Sequence, residues 1–145
     1  MQPGVRMRPE TMRLAATTPR SFKASLALLV FTVCAGLAVR LVPLGLPWAV
    51  VKYGGSMLWA AMVYWGVSTL LPRWRLPVVA LIAGAIATAV EFFKLYHSPT
   101  MDAFRLTLPG MILLGRHFSV RDIAAYWVAI CLAAGLDTSI RRLQR

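Results

Sequence analysis

Residues 76–96 read LPVVALIAGAIATAVEFFKLY, an apolar run that carries no charge until Glu91. Its length matches the ~20 residues with which a helix crosses a hydrocarbon core ~30 Å thick. Apolar and polar residues do not alternate along it, so a barrel strand is excluded and a helix remains. Pro77 falls in the first turn, where its missing N–H would have had no helical partner. Ala80, Gly84 and Thr88 recur every four residues. In lipid, that small-residue spacing lets helix backbones approach closely, so this stripe is expected to face other helices.

The same reading extends in both directions. Pro72 and the Arg73–Trp74–Arg75 turn precede the run, and 53–71 before them is a second apolar span. Pro43, Gly45 and Pro47 separate it from a first span at 24–42, with Trp48 placed for the interfacial aromatic belt. Beyond the run, 123–140 forms a last span with its own small stripe at Ala125, Ala129 and Ala133. The expected fold is therefore all-α: an integral membrane bundle of four transmembrane helices over 24–140. A basic tail at 1–23, broken by Pro3, Pro9 and Pro19 and expected to be disordered, precedes it; a basic tail at 141–145 follows. The tail and first span resemble a signal peptide only superficially. The apolar run is too long, and Arg40 follows where a cleavage site would stand, which points to a retained anchor.

Composition agrees. Of 145 residues 59% are hydrophobic and 14% charged, more apolar surface than one small soluble core can bury. The net charge of +11 is scattered at the ends of apolar runs, not gathered on a basic module, so no nucleic-acid partner is expected. Cys34 and Cys131 lie singly inside apolar runs without metal or redox spacing.

Lys and Arg set the orientation. Arg6, Arg8, Arg13, Arg20, Lys23, Arg73, Arg75, Arg141, Arg142 and Arg145 on one face outnumber Arg40, Lys52, Lys94, Arg105, Arg116 and Arg121 on the other. The positive-inside rule then places both termini in the cytoplasm of a bacterial inner membrane. The segment 97–122 would lie outside. Within it, 106–115 is apolar but too short to span and contains Pro109–Gly110. It reads equally as a re-entrant or interfacial element, or as a surface loop with a short amphipathic helix.

Glu91 is the most informative residue. An ionisable group inside an apolar span faces a wet cavity or the bundle interior with a partner. It reads as a functional carboxylate, or as half of a buried ion pair with Arg40, Arg105 or Lys94, the last at i+3. Arg40, Lys52, Lys94 and Arg105 could together form an anion pocket, or each could snorkel to the interface. His97 and His117 with Asp102 and Asp122 match no metal-ligand spacing, so neither a metal nor a cofactor is expected. Gly54–Gly55–Ser56 could offer backbone N–H groups to an anion or simply permit a tight helix entry; Ser56 has no His beside it in sequence.

At these residues the chain resembles the bacterial family "domain of unknown function 2809", grouped with VanZ-like membrane proteins. The likeness covers about 36–135 and includes Lys52–Tyr53–Gly54–Gly55, Leu58–Trp59–Ala60, Glu91, Arg105, Thr107, Gly110, Leu114–Gly115, Asp122 and Tyr126. VanZ-like proteins carry a helix-borne Glu, a polar residue three later, a loop Arg and an Asp opening the last helix, which correspond here to Glu91, Lys94, Arg105 and Asp122. Ser56 stands where the family has an acid, and Lys94 where it has Gln. The resemblance implies a four-helix membrane protein with a loose link to the envelope and supplies no reaction.

The resulting expectation is a binding protein more than an enzyme. It would take an anionic lipid or lipid-linked headgroup at the outer leaflet. Glu91 and Arg105 would organise the pocket, Arg40 and Lys94 would add charge, and Asp122 would orient Arg105. The alternatives are an accessory subunit docking partner helices on its small-residue stripes, and a membrane enzyme acting on a lipid phosphate.

Overall fold

The computed structural model describes residues 21–115 and 117–143. The tail at 1–20, Arg116 and residues 144–145 lie outside the described residues. Those described form helices and no strands: α1 (Phe22–Leu41), α2 (Trp48–Leu70), α3 (Leu76–Phe93), α4 (Pro99–Leu106), α5 (Leu108–Leu113) and α6 (Val120–Leu143).

Local chemistry sets the boundaries. Ser21 caps α1, its Oγ accepting the Ala24 N–H at 3.4 Å. Gly45, at φ 65°, turns the chain between Pro43 and Pro47. α2 then begins at Trp48, five residues before the expected 53. Lys52, expected just outside that span, lies within the helix, its ammonium 4.9 Å from the Trp48 ring centroid and 5.5 Å from that of Tyr53. α3 stops at Phe93, not 96, because the N–H groups of Lys94, Leu95 and Tyr96 reach back only three residues and tighten the last turn.

Helices α1, α3 and α6 are long and apolar enough to cross a membrane, the pattern of a multi-pass membrane protein. α2 has 23 residues but a less apolar composition, with Gly54, Gly55, Ser56, Trp59, Tyr64 and Trp65 along it. Its position explains this. α2 packs against α1, α3 and α6, so much of its surface meets protein.

The bundle interior combines alanines, a few larger side chains and buried polar groups, and its outside is large and apolar. Ala60, Tyr64, Val79, Ala83, Ala87 and Ile130 are fully buried. Leu81, Ile86, Phe92, Val128, Leu132 and Leu136 are exposed on α3 and α6. Gly84 admits the Trp127 ring, which would lie 2.3 Å from any added Cβ. Ala129 and Ala133 are buried in the core, while Ala125 is half-buried. Two threonine hydroxyls bond back to their own helices: Thr32 donates to Leu28 O at 2.9 Å and Thr69 to Trp65 O at 2.7 Å.

The segment between α3 and α6 folds as a pair of short helices. Thr107 ends α4 and opens α5, its Oγ1 accepting the Gly110 N–H at 3.3 Å. α4 and α5 pack on each other and come close to none of the long helices along their backbones. Long side chains hold the pair to the bundle instead.

Candidate functional site

One end of the bundle gathers the close of α1, the start of α2, the close of α3 and the start of α6. Glu91, in the last turn of α3, is fully buried there. Its Oε2 accepts the Lys94 ammonium and the Tyr126 hydroxyl, the latter at 2.8 Å. Its Oε1 accepts the backbone N–H of Ser119 at 2.7 Å. Three donors satisfy the carboxylate, two of them joining α3 to α6, which is how a charge becomes tolerable inside a membrane span. Lys94 also approaches the Tyr126 oxygen at 3.5 Å.

Gly115 has φ 69°, a left-handed conformation that disfavours any other residue. A Cβ there would lie 3.2 Å from Lys94 Cε, so the glycine also makes room for the lysine stem.

Arg105 stands elsewhere. Its guanidinium donates to Asp102 Oδ1 at 3.0 Å and to the Phe93 carbonyl at 2.8 Å. It is buried and lies over the Phe93 ring, 5.9 Å from the centroid. Of the three cations offered as partners of Glu91 the structure selects Lys94, and one expectation changes: Asp102, not Asp122, orients Arg105. The physical reason is local: at the tightened end of α3 the Phe93 carbonyl accepts the Tyr96 N–H at 3.1 Å and its second lone pair stays open to the cation of the following hairpin.

A cavity of about 610 Å³ opens beside the Glu91 cluster. Arg40, Lys52, Lys94 and Asp122 line it, with Trp59 and Tyr126 deeper among the helices and Met111–Leu114 of the hairpin along one wall. Neither Arg105 nor Glu91 lines it; Glu91 is held behind Lys94 and Tyr126. Arg40 lies against Gly55, and its Nη1 donates to the Met111 carbonyl at 3.1 Å, tying the hairpin to α1. Ser56 and Lys94 both line this cavity. Among the described residues no cluster of three His, Cys, Asp or Glu side chains could hold a metal ion.

Several participants were not among the expected site residues. Tyr126 and Trp59 meet with ring centroids 5.3 Å apart. Tyr126 could have been found from spacing, since Asp122, Tyr126, Ala129 and Ala133 fall on one face of α6. A second polar cluster occupies the opposite end, where buried Asp137 accepts Tyr64 OH at 2.8 Å and Arg141 Nε at 3.2 Å. Asp137 lies within the expected last span, as an acid in an apolar run, which was the available signal.

No solved structure matches the chain. The model of one protein family matches residues 45–130, a stretch that holds every residue of the Glu91 cluster and, apart from Arg40, every charged residue of the cavity named above. By that match the chain belongs to the family described as "Protein of unknown function (DUF2809)".

Proposed function

We propose that this is a four-span protein of the bacterial cytoplasmic membrane that binds an anionic lipid or lipid-linked headgroup in the cavity. The observation that carries the reading is the meeting of Arg40, Lys52 and Lys94 on one cavity whose hairpin wall is apolar. Cations beside an apolar wall suit an anionic group attached to a hydrocarbon tail. Because Glu91 already neutralises Lys94, the free cationic character lies with Arg40 and Lys52. The likeness to VanZ-like proteins supports an envelope setting. The accessory-subunit alternative relied on small-residue stripes; those of α3 and α6 are taken up within the bundle, where Gly84 receives Trp127.

Anionic lipids should raise the melting temperature of the detergent-solubilised protein above zwitterionic ones, because a ligand of the native state stabilises it. The shift should persist at high salt and shrink strongly in Arg40→Gln and Lys52→Gln, while Arg105→Gln, outside the cavity, keeps it. A shift erased by salt and equal in all variants would signify surface snorkelling and would dismiss the pocket.

The bundle end that carries the cavity is proposed to face outward, with both termini cytoplasmic. Ser98→Cys, in a chain with Cys34 and Cys131 replaced by Ala, should react with an impermeant maleimide in intact spheroplasts. Reaction only after lysis would reverse the orientation.

A further inference from the structure

Ser119 and Asp122 stand at the spacing of a helix-opening capping box. In that motif the residue before the helix gives its backbone N–H to a carboxylate three positions on. Here the bond is diverted. The Ser119 N–H goes to Glu91 Oε1 at 2.7 Å, and Asp122 is left without that local partner. Asp122 is only 6% exposed, yet its buried Oδ1 has no partner among the described residues.

The nearby cations are engaged elsewhere: Lys94 with Glu91, Arg40 with the Met111 carbonyl, and Lys52 with the Trp48 ring. Trp59 Nε1 is likewise buried without a partner. Both residues line the same cavity. A buried carboxylate oxygen and a buried indole N–H left unpaired are each destabilising by more than a typical hydrogen bond contributes. Their presence on one cavity defines what a ligand must supply: a donor for Asp122 and an acceptor for Trp59.

We infer that the cavity takes a phosphate carrying a hydroxylated substituent, its hydroxyls donating to Asp122 and accepting from Trp59 while the phosphate meets Arg40 and Lys52. A hydroxyl can both donate and accept. An ammonium headgroup can only donate, and would enter a cavity already lined by three cations. A bare ionised phosphate can only accept, and would meet Asp122 charge against charge. The inference rests on the headgroup reading above and narrows it to the polyol or sugar class.

The test titrates the full-length protein, in zwitterionic detergent at high salt, with phosphatidylglycerol and with phosphatidic acid. Phosphatidic acid bears the more highly charged phosphate, so electrostatics alone ranks it first. The inference expects the opposite order, with phosphatidylglycerol about tenfold tighter, the contribution of a hydrogen bond to a charged acceptor. Asp122→Ala should abolish the preference. Trp59→Phe keeps an aromatic ring, removes only the N–H, and should reduce the preference severalfold; it decides the matter if Asp122→Ala does not fold. Soluble glycerol 1-phosphate, set against inorganic phosphate, separates the sources. Competition by the former alone identifies a free polyol phosphate, and inertness of both identifies the lipid headgroup, each with the hydroxyl preference intact. Equal or tighter binding of phosphatidic acid, lost in Arg40→Gln, would overturn the hydroxyl inference and leave the headgroup reading standing. Binding of neither lipid would overturn both.

Discussion

Glu91→Ala should cause the largest loss of thermal stability of any single substitution in the cavity region. It strips the Lys94 ammonium of its partner inside the bundle and orphans the Ser119 N–H and the Tyr126 hydroxyl. Removing one side of a buried pair costs roughly 3–5 kcal/mol. The double variant Glu91→Ala/Lys94→Met removes both charges and should recover much of that loss, though not all, since Ser119 and Tyr126 stay unpaired. Arg105→Gln serves as the contrast. Its partners are Asp102 and the Phe93 carbonyl, so its effect should add to that of Glu91→Ala within about 0.5 kcal/mol. Thermal melts in detergent across the single and double variants provide the measurement. Strong coupling of Glu91 with Arg105, or none with Lys94, would contradict the pairing described for this site.

Gly110→Ala should release the α4–α5 pair while leaving the long helices folded. A Cβ at this position would lie 2.0 Å from the Phe104 carbonyl oxygen and 2.7 Å from its carbon. Both are backbone atoms of the facing helix and cannot swing aside as a side-chain tip would. Overpacking of this kind typically costs about 1–3 kcal/mol, and the upper end applies where backbone must move. Since α4 and α5 do not pack along the long helices, the disturbance should remain local. Amide exchange should accelerate across 98–115 and stay slow within α2, α3 and α6. The Met111 carbonyl that holds Arg40 would shift with the hairpin, so lipid-dependent stabilisation should weaken as well. Unchanged protection across 98–115 would show that the close approach of Gly110 to Phe104 is not what holds the pair together.

Both predictions concern residues that the chain displays openly but most of whose partners it does not. Glu91 stands out because it is an acid inside an apolar run, and Lys94 is legible as its i+3 neighbour from helix geometry alone. The small-residue stripes are legible for a similar reason, as period and residue size decide which helix face can approach another. Arg105 was less legible. Charge and nearness to one interface make it only one of three candidate partners for Glu91, whereas its observed partners are Asp102 and the Phe93 carbonyl. No side-chain pattern marks such a carbonyl, which takes the Arg105 guanidinium on top of the Tyr96 N–H where the last turn of α3 tightens.

Sequence by itself determined the helical character, the apolar exterior and the need to satisfy Glu91, because these follow from hydrophobic run length, residue size and the cost of an ionised group in lipid. Only the tertiary structure decided that α2 lies among three other helices and that Gly110 touches Phe104. It also decided that Ser119 turns to Glu91 and leaves Asp122 Oδ1 without a partner among the described residues. The physical reason is that the helix packing and the Ser119–Glu91 bond join positions far apart in the chain, while the Gly110 contact depends on how α5 folds back on α4. Their donors and acceptors are common to many residues, and only the packing of α3 against α6 selects which ones meet.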